Sequence, residues 1–272
     1  MERITFKPLL LAAGLLACMP MAQAASTLVY CSEASPAGFD PSQYTSGTDF
    51  DASAETVFNR LTQFKRGGTE VEPGLATRWD VSKDGLTYTF HLRDDVTFSD
   101  GEKFNARAVQ LNLEHMRDPA TKSPLAAAYI APYVDGRIVD EYTFEAHLRE
   151  PYSPFLDVLA QSWLSMLSPR QILQAPKSIA EHPIGTGPFV LESYTRDQGL
   201  TFVKRKGYNW APAVTRHHGE AYLDRLELSI IPEPMIRFSA LESGQSDFTV
   251  DAPAQNAKAI RNNPDLQMRS RI

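Results

Sequence analysis

Arg78-Trp79-Asp80-Val81-Ser82-Lys83-Asp84-Gly85-Leu86-Thr87-Tyr88-Thr89-Phe90-His91-Leu92 reads as a β-hairpin. Asp84-Gly85 is a turn pair that suits the right-handed twist of two antiparallel strands, and the arm that leaves it alternates apolar with polar residues. A second passage repeats the plan: Arg137-Ile138-Val139 approaches, Asp140-Glu141-Tyr142 turns, and Thr143-Phe144-Glu145-Ala146-His147-Leu148 alternates. Two such devices predict a twisted, largely antiparallel sheet.

Helical signals surround these strands. Asn105 is a predicted N-cap for a helix reaching Met116, with Val109, Leu113 and Met116 on one side. Ser153-Pro154 opens a helix reaching Ala160, and Ser168-Pro169-Arg170-Gln171 reads as a capping box with proline at the first helical position. Residues 27–31 read as a first strand, 32–48 as a long loop, and 51–61 as a helix carrying Val57, Phe58 and Leu61. Strands over 199–204 and 226–231 and helices over 235–242 and 254–261 follow, and 266–272 reads as another strand starting. Pro183-Ile184-Gly185-Thr186-Gly187-Pro188-Phe189 is a tight, donor-poor turn that leads into an apolar strand. Short elements with Pro/Gly punctuation and no flexible linker define a compact mixed α and β fold.

The chain has 272 residues, 43% hydrophobic and 22% charged, and a formal net charge of −6. That sign does not attract nucleic acid or anionic lipid, and the short basic runs 204–206 and 269–271 read as solvated strand faces. Arg3 and Lys7, an apolar run from Leu9 to Ala17 and the ending Ala22-Gln23-Ala24 define a secretory signal over residues 1–24. Leu15-Leu16-Ala17-Cys18 offers a rival reading, in which Cys18 carries a lipid anchor. Cleavage after Ala24 leaves Cys31 as an odd thiol in an oxidising compartment, read as a small buried hydrophobe.

No motif nominates a catalytic residue. Gly185-Thr186-Gly187 lacks the third glycine, the lysine and the strand-to-helix setting of a phosphate loop. No metal site is expected, because the six histidines, including the pair His217-His218, carry no carboxylate or cysteine at ligand spacing. No cofactor is implied. A hydrolase triad needs only to meet in space, so a secreted hydrolase stays as a reading from a different class. Tyr44, Phe50, Trp163 and Trp210 fall in or beside loops, where they either wall a ligand cleft or plug the core.

Read in order, the residues resemble one family along nearly the whole chain after residue 24. Leu28-Val29-Tyr30-Cys31-Ser32-Glu33, Gly38-Phe39-Asp40-Pro41 and Tyr44-Thr45-Ser46-Gly47-Thr48 look like the opening of its dipeptide-binding branch. Val71-Glu72-Pro73-Gly74-Leu75-Ala76-Thr77-Arg78-Trp79, the 84–96 hairpin, Phe98-Ser99-Asp100-Gly101, the 183–189 turn, Gly207-Tyr208-Asn209-Trp210 and Ile231-Pro232-Glu233-Pro234 follow in the expected order. The family is that of the extracytoplasmic solute-binding proteins, family 5, which deliver peptides or nickel to ABC importers.

The resemblance implies a periplasmic protein of two lobes, a short peptide as ligand, an inner-membrane ABC permease as partner, and a monomer without enzymatic activity. Residues 25–272 correspond to the N-terminal lobe of a type II-like binding protein. The second lobe is absent, together with the aspartate and arginine that meet the two ends of a dipeptide in that branch. It further implies an unpaired sheet edge and weak or no ligand binding by this polypeptide alone. Cys31 matches a cysteine whose partner position falls in the passage 242–247, where Ser246 stands. The nickel branch places an arginine near 159–168, and none is there, which favours peptides. Nickel, haem or glutathione carriage, or a chain with no independent activity, remain alternatives. The lobe-one contacts implied are Glu33 and Tyr44, Thr45, Ser46, Gly47 and Thr48 as cleft edge, with Trp163 as a wall.

Overall fold

A computed structural model describes residues 25–269; the secretory signal expected over 1–24 and Cys18 within it lie outside the described residues. The strands are β1 (Thr27–Ser32), β2 (Thr62–Phe64), β3 (Val71–Pro73), β4 (Ala76–Val81), β5 (Thr87–Leu92), β6 (Tyr133–Asp140), β7 (Thr143–Leu148), β8 (Phe189–Thr195), β9 (Gly199–Lys204), β10 (Arg225–Ile230) and β11 (Phe248–Thr249). The helices are α1 (Gly47–Ser53), α2 (Ala106–Arg117), α3 (Ala126–Tyr129), α4 (Phe155–Leu159), α5 (Pro169–Gln174), α6 (Pro234–Glu242) and α7 (Ala257–Asn262).

The two hairpins join into one antiparallel sheet, ordered β4-β5-β7-β6. Its apolar positions, Tyr88, Phe90 and Leu92 on β5 and Phe144, Ala146 and Leu148 on β7, share a core with Val109, Leu113 and Met116 of α2 and with Phe155 and Val158 of α4. Asn105 caps α2 through a bond to the Ala108 amide. The second large sheet is mixed, ordered β11-β1-β10-β9-β8, with β1 parallel to both of its neighbours. Tyr30, Phe189, Leu191, Leu200, Phe202, Leu228 and Ile230 form its core with Phe39, Val57 and Phe58. The edge strand β11 is two residues long and leaves Phe248 exposed. Cys31 is buried and free, and Ser246 lies against β1 with its hydroxyl donating to the Val29 carbonyl.

Four expectations are corrected. The helix expected over 51–61 begins at Gly47 and ends at Ser53. Ser46 and Asp49 form a capping box that starts it early, and the Thr56 and Val57 carbonyls accept from the Phe189 and Gly187 amides, which draws the chain out of helix. Ser168 does cap α5, but Gln171 does not return the bond: its side chain holds the 182–184 loop through the His182 carbonyl and Ile184 amide. Arg205, expected on a solvated face, is buried; its guanidinium donates to the Phe98 and Gly185 carbonyls and to Thr97 Oγ1, and lies 4.7 Å from the Trp210 ring. Residues 266–269 are not strand, and 270–272 lie outside the described residues.

The 183–189 turn joins the two cores. A Cβ on Gly185 would lie 2.1 Å from the Val57 carbonyl oxygen, and one on Gly187 would lie 2.5 Å from that of Thr56. The turn is also bonded from many sides: Ser99 N–H donates to the Gly185 carbonyl, Ser168 N–H to that of Ile184, and Trp210 Nε1–H to that of Thr186. Gly185→Ala is therefore expected to lower unfolding free energy by about 2–3 kcal/mol in a denaturant titration. Gly47→Ala, where a Cβ meets nothing within 4 Å, is expected to change it by less than about 1 kcal/mol. Equal effects from the two substitutions would contradict this account.

Candidate functional site

The expected cleft-edge residues gather where β1 ends and α1 begins. Asp49, buried at 1% exposure, organises the loop: its carboxylate accepts from the amides of Ala37, Thr45 and Ser46, while the Asp49 amide donates to Ser46 Oγ. Those amides are consumed internally. What the loop presents outward is hydroxyl, with Ser46 Oγ and Thr48 Oγ1 2.9 Å apart, beside the exposed backbone of Thr45 and Gly47.

Tyr44 does not belong to that edge. Its side chain is buried, its hydroxyl is bonded to Ser53, and burial pushes its phenol far above the usual range. Behind the edge it props Phe50, edge-on at 5.5 Å between ring centroids. Phe50 in turn meets Trp163 at 5.5 Å, and Trp163 stacks on Tyr129 at 5.2 Å and 25°. Four aromatics from four short segments thus form one ladder, buried at Tyr44 and exposed at Tyr129. Trp163 is half-buried within it, a position suited to a wall. Trp210 is core: it lies beneath the 183–189 turn at 6% exposure.

The other flank of α1 is negative. Glu33 follows β1, Asp251 follows β11 in a left-handed conformation with φ of 53°, and Asp51 lies on α1. Burial, followed by the Asp51, Glu33 and Asp251 charges, pushes the Tyr30 phenol up to about 12. Desolvation, then Asp251 and Glu33, raises the Asp51 carboxyl above the usual carboxylate range. Glu33 also faces Arg237, 4.0 Å from its Nη2; Arg237 is buried, with Nη1 donating to the Ile231 and Pro232 carbonyls and Nε without a partner among the described residues. Asp51, Asp251 and Tyr129 escape a reading by sequence, because the first sits inside a helical run, the second in an irregular segment and the third at the end of the four-residue helix α3.

Two other constellations invite chemistry. A groove of about 710 Å³ between α2 and α5 includes Asp40, His115 and Thr121 but no expected site residue. Within it Thr121 Oγ1 lies 3.2 Å from His115 Nδ1, and His115 Nε2 lies 2.8 Å from Asp40 Oδ2. That is the order of a hydroxyl, base and orienting acid. The Thr121 and Lys122 amides that could steady an oxyanion are already bonded to the Asp118 and Pro119 carbonyls. Together with Gln43 Nε2 on the Thr121 carbonyl and Ser123 Oγ on that of Ser42, the arrangement fastens the loop before Tyr44 to the end of α2. His217 bonds the Glu220 carbonyl and stacks on Tyr222, so it too is tied locally.

Comparison with known proteins gives a consistent result. The model of the bacterial extracellular solute-binding proteins, family 5 Middle, matches residues 70–272. Di/tripeptide-binding protein 1 of Pseudomonas aeruginosa is 42% identical over 98% of this chain and 52% of its own length. Among solved structures, the ABC transporter-associated periplasmic binding protein DppA from Helicobacter pylori, in complex with peptide STSA, superposes with a TM-score of 0.75 at 31% identity, covering 88% of this chain and 49% of that one. The dipeptide-binding protein of Pseudoalteromonas sp. SM9913 in complex with Met-Leu gives 0.77 at 26% identity, covering 88% and 50%. The chain spans about half the length of the curated relatives it matches.

The raised Asp51 carboxyl fixes a sign. Because its folded-state pKa lies above the unfolded one, folding gains as pH falls through that window, and above it the charge opposes folding. At pH 7, Asp51→Asn is expected to raise the thermal midpoint by about 1–3 °C, the scale of a partly desolvated charge with a solvent-screened repulsion added to it. The difference should vanish below the unfolded value of 3.8. A lower midpoint at pH 7 would overturn the assigned repulsion.

Proposed function

The chain belongs to the bacterial extracellular solute-binding proteins of family 5, and on that footing we propose that it forms the first, ligand-facing part of a peptide carrier serving an ABC importer. Residues 25–272 make one lobe. The protein works in the periplasm as a monomer and hands its ligand to an inner-membrane permease. The observation that carries the reading is the wall around α1: an aromatic ladder, a hydroxyl edge and a negative flank brought together from β1, α1, α3 and the 162–164 turn. Such a surface holds a small zwitterion with an apolar side chain by stacking, hydrogen bonds and charge, without covalent chemistry. Glu33, Thr45, Ser46, Gly47, Thr48 and Trp163 touch the ligand; Tyr44 supports them from behind.

This wall is an open face, so a bound dipeptide keeps much of its hydration, and affinity suffers accordingly. Calorimetry on the 272-residue chain should therefore give a dipeptide Kd near or above about 1 mM. Micromolar binding would show that the face suffices unaided. Photo-crosslinking reports the location at such affinities: a diazirine-bearing dipeptide should label Trp163, Phe50 and Tyr129, with unlabelled dipeptides competing. Trp163→Ala should weaken the labelling several-fold, about the worth of one aromatic contact. Labelling elsewhere, or competition by a nickel-histidine chelate, haem or glutathione in place of dipeptides, would sink the peptide reading.

A further inference from the structure

Beside Trp163 the same wall contains a cation that the ladder does not explain. Arg60 follows the extended segment after α1, and its side chain is 9% exposed. Its Nη2 lies 2.6 Å from Glu55 Oε1, and its Nη1 reaches Ser162 Oγ at 3.4 Å. Its Nε is buried with no partner among the described residues, and so is the indole Nε1 of Trp163, the residue next to Ser162. Two buried donors, one on Arg60 and one on the residue that follows its partner Ser162, are thus unmet, which native interiors rarely tolerate without an acceptor to receive them.

We propose that Arg60 and Trp163 form a carboxylate-binding subsite, with Glu55 as its present occupant. A guanidinium fork offers paired N–H groups that match the two oxygens of a carboxylate, and it keeps its charge at any working pH. Glu55 uses only part of that fork, with one oxygen on Nη2. Its side chain is 77% exposed, however, so it is a weakly held partner that a ligand carboxylate displaces at little cost. The incoming group then also accepts from Arg60 Nε and Trp163 Nε1 once Glu55 has swung into water. Glu33, Asp51 and Asp251 repel a carboxylate from the other flank of α1, which leaves that flank to the cationic end of a zwitterion. The subsite deepens the peptide-carrier reading, on which its biological meaning rests, by assigning lobe one a hold on a further carboxylate, an acidic side chain of the peptide, apart from the C-terminal carboxylate that the resemblance gives to a second-lobe arginine.

The test needs no tight binding. Nitrogen-proton correlation spectra observe Arg Nε–H and Trp Nε1–H directly, and Arg60→Lys and Trp163→Phe assign the two signals by their loss. Three probes are titrated to tens of millimolar: N-acetyl-leucine, its amide, and an N-acetyl-glutamate whose α-carboxylate is amidated. Both signals should move saturably with a carboxylate probe and stay still with N-acetyl-leucine amide. The two carboxylate probes separate a main-chain from a side-chain source. Glu55→Gln should tighten the response about two- to fivefold, by freeing an exposed pair. Arg60→Gln should weaken what remains at Trp163 about tenfold or more, the loss of a charge-assisted hydrogen bond. Equal shifts with acid and amide, or a Glu55→Gln titration that matches the native one, overturn the subsite even if Arg60→Gln fails to fold. Failure of the diazirine dipeptide to label the wall would sink the carrier reading and leave these titrations to judge the subsite separately.

Discussion

The fold depends on a contact between backbones. The Gly185-Thr186-Gly187 strip lies so close to residues 56–58 that no side chain fits between them, and the Gly187 and Phe189 amides are spent on the Val57 and Thr56 carbonyls. One side of this crossing is the mixed sheet, entered through β8; the other is the antiparallel sheet, reached through Ser99. A segment that is mostly carbonyl on its remaining faces needs donors, and they come from Trp210, Arg205 and Ser168. Arg205 is buried for that reason, its charge spread over two carbonyls, a hydroxyl and an indole face. Burial lowers the Arg205 pKa from its usual value, which is the electrostatic cost of placing a cation there.

Local chemistry made most of the scaffold legible. Asp84-Gly85 and strict alternation announce a hairpin whatever surrounds them, and Asn105 or Ser168 caps a helix from its own side chain. The misreadings occur where distant segments decide. Val57 and Phe58 have helical spacing but answer to a strip more than a hundred residues away, and Arg205 sits in a basic run yet serves carbonyls of the other core. Tyr44 looks like a loop aromatic because its partner Ser53 becomes a neighbour only once α1 has formed. The candidate site shows the same limit: Trp163 and the Ser46 edge stand out in sequence, whereas Tyr129, Asp51, Asp251 and Arg60 acquire meaning only through placement.

That placement gives the wall two unlike flanks around one short helix. On one, desolvation and the neighbouring Asp251 and Glu33 charges raise the Asp51 carboxyl. On the other, a buried guanidinium leans on a single exposed glutamate. Aromatic faces lie between, and a hydroxyl edge runs along the helix start. None of these parts is costly by itself in a solvated face; their concentration within one patch, supported by the buried Asp49 and Tyr44, is what the proposed recognition surface rests on.

The order of the mixed sheet bears on how the molecule comes into being. β1, the first strand of the described chain, has β10 and β11 for its neighbours among the described residues, and its pairings and bonds reach 198 to 218 residues ahead. A ribosome delivers β1 long before β10 and β11. Throughout that interval an apolar strand waits unpaired, and the sheet that shelters Cys31 cannot assemble. The mixed sheet can close only after the stretch from β1 to β10 has emerged, whereas the antiparallel sheet pairs from segments close in sequence. That delay leaves an apolar strand open to pairing with other chains until β10 and β11 arrive.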